Sequence, residues 1–126
     1  MIVRSDTTAV GSDGEKKGHL FLTRNGYKIL ERNYRTRFGE IDVIARHKGD
    51  LIFVEIKYRR SSAYGSPGEA VTLTKQRRIA KSALVYLKQN GLSPAAVRFD
   101  VLAIGPAPEQ YELLPSAFTV PPIYTM

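Results

Sequence analysis

The stretch Gly39–Arg60, GEIDVIARHKGDLIFVEIKYRR, decides the fold of this chain. Two apolar runs within it, Ile41–Ala45 and Leu51–Ile56, flank a short polar segment. Lys48 and Gly49 at the centre of that segment predict a two-residue turn, because Gly accepts the positive φ that such turns require. The stretch is therefore predicted to form a β-hairpin.

Pairing the two strands about this turn sets Arg46 opposite Leu51 and Asp42 opposite Glu55. Side chains alternate between the two faces along a strand. One face is then predicted to carry the charged side chains Asp42, Glu55 and Lys57, with Glu40 beside them. The other face is predicted to supply core residues: Ile41, Val43, Ala45, Ile52, Val54 and Ile56.

Two carboxylates and a lysine on one face of a largely apolar hairpin indicate a specific role. Opposed carboxylates repel each other unless a positive charge lies between them. Mg²⁺ typically takes one or two protein carboxylates and completes its coordination with water and substrate phosphate. Lys57 is placed to orient or deprotonate an attacking water, or to balance charge on the phosphate. The spacing alone fits a structural Asp–Lys–Glu ion-pair cluster equally well.

Length and composition limit the class of protein. A chain of 126 residues, 43% hydrophobic and 25% charged, is typical of a single globular domain. The absence of cysteine excludes disulfides, thiolate catalysis and Cys-based zinc sites. No apolar run approaches a membrane span, and the polar start of the chain has no signal-peptide segment. We therefore expect a cytoplasmic protein with no membrane partner.

The positive charge indicates an anionic partner, most simply nucleic acid. The formal net charge is +7 and the pI is near 9.8. One basic stretch carries six cations against the single acid Glu69: Arg59, Arg60, Lys75, Arg77, Arg78 and Lys81. A second stretch, Arg24–Arg37, carries five cations against Glu31. If both lie beside the hairpin in space, they would surround the acidic face with a phosphate-attracting surface; solvated helix faces are the alternative.

The chain before the hairpin is predicted to contain a helix and a strand. Residues 1–13 are expected to be flexible, and a helix is predicted over Gly14–Asn25 with Leu20 and Phe21 on a modest apolar face. Gly26 is expected to end that helix. A strand is predicted over Tyr27–Tyr34.

The chain after the hairpin is predicted to contain a loop, a second helix and one or two strands. The loop covers Ser61–Gly68. The helix is predicted to begin at an N-cap Thr74 and to end at Asn90-Gly91, with apolar residues at helical spacing. Val97–Ile104 is predicted as a buried strand, and Tyr111–Leu114 as a short edge strand in an otherwise irregular, Pro-rich tail over 106–126.

These elements predict one α/β domain over residues 14–105. Its mixed sheet of four or five strands would be flanked by a helix on each face. A right-handed crossover through the second helix would place the Val97–Ile104 strand parallel to the Leu51–Ile56 strand. Asp100 within that strand is expected to be paired structurally rather than catalytic. His47 is expected to be a solvated turn residue, and Tyr58 and Tyr64 are candidates for stacking on bases or for packing.

Several motifs in order carry a family resemblance. The segments YKILERNYR, GEIDVIA, FVEIKYR, YGSPGEAV and VRFDVLAI closely resemble the YraN family of uncharacterised bacterial proteins, over roughly Gly14–Gly105. That family in turn resembles the restriction-endonuclease-like nuclease superfamily, especially archaeal Holliday-junction resolvases. The resemblance implies a restriction-endonuclease-like fold and a metal-dependent endonuclease acting on DNA, branched or single-stranded.

The resemblance also implies roles for individual residues. Asp42 and Glu55 would bind Mg²⁺ or Mn²⁺, together with Glu15 from the preceding helix, and Lys57 completes the Glu-x-Lys motif. The position three residues after Glu15, where the family usually has a small residue, is Gly18. Residues expected to hold the nucleic-acid backbone are Arg59, Arg60, Lys75, Arg77 and Arg78. A homodimer is an open alternative, because resolvase-like proteins often work as dimers.

A second function stays open on the same fold. Family membership does not fix activity, so a non-catalytic nucleic-acid-binding or adaptor module is the alternative. The intact set of Asp42, Glu55 and Lys57 favours the nuclease, because carboxylates near phosphates give a pure binder no advantage. Steep salt dependence of binding without cleavage of DNA or RNA would favour the adaptor.

Overall fold

A computed structural model describes residues 6–59, 71–93, 97–107 and 109–119, with side chains from residue 14 onward. The elements in chain order are α1 (Asp6–Arg24), β1 (Lys28–Thr36), β2 (Gly39–His47), β3 (Asp50–Tyr58), α2 (Leu73–Gln89), β4 (Val97–Ile104) and β5 (Tyr111–Leu114). The predicted loop over Ser61–Gly68 lies outside the described residues. No helix in the described ranges is long and apolar enough to cross a membrane.

The five strands form one mixed sheet in the order β1-β2-β3-β4-β5. All neighbouring pairs are antiparallel except β3 and β4, which run parallel with α2 as their crossover. The predicted α/β class, the parallel pair and the short edge strand are confirmed.

The central hairpin follows the predicted register. Lys48 and Gly49 have φ values of 50° and 88°, as the two central residues of a hairpin turn require. Arg46 pairs with Leu51, and the ladder continues as far as Val43 opposite Val54. Regular pairing stops there, so the predicted pairing of Asp42 with Glu55 is not part of the observed ladder.

The apolar side chains divide between two clusters on the two faces of the sheet. Five of the six predicted core residues of the hairpin lie in one cluster, with Leu22 of α1: Val43, Ala45, Ile52, Val54 and Ile56. Ile41, predicted on the same face, instead lies in the other cluster with Ile79 and Ala83 of α2. Strict alternation therefore fails at Asp42, where the β2–β3 ladder ends, and a helix covers each face as predicted.

Helix α1 differs from its prediction at its start and on its buried face. It begins at Asp6, eight residues before Gly14. Leu20 is 49% exposed, whereas Leu22 is fully buried against the sheet. A side-chain Cβ at Gly18 would lie 3.1 Å from Ile56 Cδ1, so the glycine lets the helix approach the sheet closely. The helix ends before Gly26, whose φ is 88°, as predicted.

Helix α2 is capped by Thr72 rather than by the predicted Thr74. The Lys75 N–H donates to the Thr72 hydroxyl at 3.2 Å. Most of the predicted apolar positions are buried, and the helix ends at Asn90 and Gly91 as expected. Both threonines precede or begin the helix, so sequence pattern alone did not separate them.

Asp100 is fully buried and structurally paired, as predicted. Its carboxylate accepts hydrogen bonds from the Tyr27 hydroxyl, the Arg98 guanidinium and the Ser116 N–H, at 2.6–2.9 Å. The expectation that His47 is solvated was wrong. Its ring stacks on Tyr27 at 4.2 Å, and its Nδ1 lies 3.1 Å from Arg98.

Candidate functional site

A cavity of about 380 Å³ opens where the end of the regular β2–β3 ladder meets the beginning of α2. We call it the acid cavity, and its charged and polar lining includes Glu40, Asp42, Glu55, Thr72, Lys75 and Arg78. Because regular pairing with β3 ends at Val43, the Asp42 side chain does not follow the strict alternation of faces along β2. The crossover from β3 brings the amino end of α2 to the same place.

Asp42 and Glu55 lie side by side in this cavity. Glu55 is 3% exposed. Asp42 Oδ2 accepts a hydrogen bond of 2.7 Å from the Ile56 N–H, which fixes the carboxylate against β3. Burial, then the charge of Glu55 and a hydrogen bond with it, raise the pKa of Asp42 from 3.8 to about 8. A half-buried acid beside a buried one forms a site that a cation would stabilise.

Lys75 and Arg78 bring positive charge to the same cavity. The Lys75 ammonium forms an ion pair with Glu55 Oε2. That oxygen has no hydrogen-bond partner of good geometry, so the pair is a charge contact rather than a directed bond. The cavity therefore combines two acidic side chains with cations at its rim, an arrangement that suits a phosphodiester.

Glu15 approaches Asp42 from the opposite side. It lies on α1 and lines a small cavity of about 60 Å³ together with His19, Asp42 and Tyr58. Burial, then the charges of Glu15 and Asp42, raise the pKa of Tyr58 to about 12. Burial and the nearby Arg32 lower the pKa of His19, opposed by Glu15. Asp42 is thus shared between the two cavities.

The structure brings together part of the predicted metal site. Asp42 and Glu55 share the acid cavity, whereas Glu15 is separated from Glu55 by Asp42. Lys57 is not among the described residues lining either cavity. Within the described residues, no three His, Asp or Glu side chains are grouped closely enough to hold a metal. Two adjacent carboxylates nevertheless fit Mg²⁺, which takes the rest of its ligands from water and phosphate.

Comparison with known proteins places the chain in a family. Residues 14–104 match the Uncharacterised protein family UPF0102. The chain belongs to this family. A UPF0102 protein from Symbiobacterium thermophilum is 52% identical over 100 residues, which cover 79% of this chain and 85% of the relative. One from Trichlorobacter lovleyi is 43% identical over 122 residues, covering 93% and 95%. The predicted membership of a family of uncharacterised bacterial proteins is confirmed.

Among solved structures, this UPF0102 chain is similar to a repair endonuclease from Pyrococcus abyssi. The TM-score is 0.41 and the sequence identity is 18%. The match covers 85% of the UPF0102 chain and 40% of the other, so the chain spans less than half of that protein. This degree of similarity does not bear on function.

The predicted nucleic-acid contacts of the UPF0102 chain fall into different environments. Arg59 is buried, and its Nη1 lies 3.4 Å from Glu112 on β5, so it is not part of an exposed basic surface. Arg60 lies outside the described residues. Lys75 lies in the acid cavity, and Arg77 and Arg78 are exposed on α2.

The sequence pattern does not assign Lys75 to the acidic pair of the UPF0102 site. The pattern predicts this lysine on a phosphate-binding helix face, and only the tertiary structure shows that the helix begins against Glu55. The available signal was the absence of acids in the first turn of α2, where Asp or Glu would favour the helix dipole. A lysine in the first turn destabilises the helix unless an acidic partner compensates its charge.

Proposed function

We propose that this protein is a metal-dependent nuclease that hydrolyses phosphodiester bonds in DNA, branched or single-stranded. The observation that carries the proposal is the adjacent pair of half-buried Asp42 and buried Glu55, opening into a cavity with Lys75 and Arg78 at its edge. Burial and mutual repulsion hold the pKa of Asp42 well above its ordinary value. Such shifts are concentrated at functional sites.

The proposed roles follow from position. Asp42 and Glu55 would hold Mg²⁺ or Mn²⁺, with Glu15 acting from the α1 side through a water. The bound cation would supply stabilisation of the charge that develops on the phosphate. Lys57, on the same face of β3 as Glu55, would orient or deprotonate the attacking water. It is half-buried, two residues along the strand.

Lys75 and Arg78 are proposed to bind the substrate phosphate. In the protein alone, the Lys75 ammonium compensates Glu55. If Asp42 and Glu55 held a cation, Lys75 would no longer be needed to compensate Glu55 and would be available to the phosphate. Arg77 on the outer face of α2 extends the positive surface.

A cytoplasmic location fits this role, and dimer formation stays an open prediction.

Cleavage by matched variants tests the proposal. Purified wild type, Asp42→Asn and Lys57→Ala are incubated with labelled single-stranded, duplex and four-way-junction DNA in Mg²⁺ and in Mn²⁺. We expect both variants to lose cleavage and to retain DNA binding, while Glu31→Gln, an exposed acid on β1, cleaves as wild type does. Cleavage by Asp42→Asn at the wild-type rate would refute the proposal.

A non-catalytic nucleic-acid-binding or adaptor module is the second candidate. It is favoured by the Lys75–Glu55 ion pair, which already compensates one carboxylate, and by the separation of Glu15 from Glu55. Steeply salt-dependent DNA binding without cleavage of any DNA or RNA would support it. Wild-type cleavage that disappears in Glu55→Ala would eliminate it.

A further inference from the structure

A second, larger cavity lies beside the acid cavity and has no assigned role. Its volume is about 710 Å³, within the range of ligand-binding clefts, and it runs between the end of β1 and the second half of α2. We call it the basic groove and define it by Tyr34, Arg35, Arg37, Phe38, Lys81 and Lys88.

The lining of the basic groove combines cations with aromatic rings. Four of these six residues are basic and exposed, and no acidic side chain is among the described residues that line it. Most of the lining surface is nevertheless apolar. Exposed positive charge favours the binding of a polyanion. An apolar surface with aromatic rings favours a polyanion that also presents flat apolar groups. Unpaired nucleotides have both properties, whereas duplex DNA presents mainly its phosphates.

Phe38 is held in position by the turn between β1 and β2. Its N–H donates to the Thr36 hydroxyl at 3.0 Å, and the same hydroxyl lies 2.8 Å from Ser82 Oγ on α2. The Arg37 guanidinium lies 4.8 Å and the Lys81 ammonium 5.7 Å from the centre of the Phe38 ring. The backbone at Phe38 is therefore tied through Thr36 to α2, and two cations lie close to the ring.

The basic groove lies next to the acid cavity along α2. Arg78 lines the acid cavity and Lys81 lines the basic groove, three residues further along the helix. The helix rises about 1.5 Å per residue, so Lys81 and Lys88 mark a path of about 10 Å leading away from the acids. On the other side, Gly39 of the acid cavity lies next to the turn that carries Phe38.

We propose that the basic groove binds an unpaired strand of nucleic acid, with a base stacked on Phe38 and phosphates held by Arg37, Lys81 and Lys88. This inference rests on the proposed function, because it makes the groove the path by which a single strand reaches the acid cavity. It specifies a substrate with an unpaired region. DNA and RNA share the required chemistry.

Binding without cleavage tests the groove separately from catalysis. Fluorescence anisotropy in EDTA is measured for oligothymidylate of roughly 15 nucleotides, oligouridylate of the same length and a blunt DNA duplex. We expect wild type to bind a single strand more tightly than the duplex. Phe38→Leu should weaken single-strand binding about ten-fold and leave duplex binding nearly unchanged, because a leucine fills the space without a stacking plane.

Charge variants provide the second readout. Lys81→Gln and Lys88→Gln should each lower the slope of log affinity against log salt by about one, whereas Lys28→Gln, an exposed lysine on β1 outside the groove, should not. Whichever of oligothymidylate and oligouridylate binds more tightly identifies the natural sugar. Unchanged single-strand binding by Phe38→Leu, or equally effective competition by polyglutamate, would overturn the proposal.

The two proposals fail in different ways. If cleavage depends on Asp42 but Phe38→Leu binds single strands as wild type does, the groove inference is wrong and the nuclease stands. If Phe38→Leu loses single-strand binding while the wild type cleaves nothing, the groove stands and the nuclease is wrong.

Discussion

Replacing Asp42 by Asn should stabilise the metal-free protein while abolishing its proposed activity. The Asn carbonyl oxygen can still accept the 2.7 Å hydrogen bond from the Ile56 N–H, so the local backbone contact is kept. The substitution removes the repulsion between the Asp42 carboxylate and the buried Glu55 carboxylate. Active-site residues commonly reduce the stability of the fold in this way.

The magnitude follows from the pKa of Asp42. Raising a pKa from 3.8 to about 8 corresponds to about 6 kcal/mol of free energy, an upper bound. Burying an amide also has a cost, so we expect a gain of about 2–4 kcal/mol at pH 8. The native carboxyl keeps a proton that the unfolded chain has lost, so wild-type stability should fall as pH rises from about 4 to about 8. The gain should therefore be near zero at pH 4.

Denaturant unfolding in EDTA at several pH values measures this difference. Glu40→Gln is the matched control, because Glu40 lines the same cavity but is the weakest of the named influences on Asp42. Its effect should stay below about 1 kcal/mol. A destabilised Asp42→Asn, or a gain of equal size at pH 4 and pH 8, would show that the carboxylates do not repel each other in the native protein.

Two further variants test the charges around the site and in the core. Lys75→Met should lower the free energy of unfolding by about 1–3 kcal/mol without metal, because it leaves Glu55 unpaired. Mn²⁺ should then raise the Tm of this variant more than that of wild type. An equal Tm shift would contradict the idea that a metal ion replaces the Lys75 ammonium beside Glu55. In chemical denaturation, Asp100→Asn should lower the free energy of unfolding by about 3–5 kcal/mol, because it breaks a buried pair with Arg98. Asp50 forms a partly exposed pair with Arg98 at 3.8 Å, so Asp50→Asn should lower it by under about 1 kcal/mol. Similar losses for the two variants would exclude a structural role specific to Asp100.

The strand and turn pattern was largely predictable because it depends on local chemistry. Lys48-Gly49 specifies a turn with positive φ, and the apolar runs on either side specify two strands in one register. Gly26 and Gly91, both with positive φ, end the two helices for the same reason. These features are set by interactions between neighbours in sequence.

The sequence-based predictions were wrong where residues distant in the chain are brought into contact by the fold. His47 looks like a solvated turn residue until Tyr27 and Arg98 are brought against it. Arg59 looks like part of a basic surface until β5 places Glu112 beside it. Leu20 is as apolar as Leu22, and only the approach of α1 to the sheet decides which of them is buried.

The sequence by itself determined the hairpin and the presence of an acidic pair with a nearby lysine on its strands, because alternation and turn geometry act over a few residues. Tertiary structure decided which cation faces which acid. The crossover places Lys75 against Glu55, and the end of the β2–β3 ladder turns Asp42 between two cavities with Glu15 on its far side. Electrostatic energy depends on distances in space, and those distances exist only once the helices have packed on the sheet.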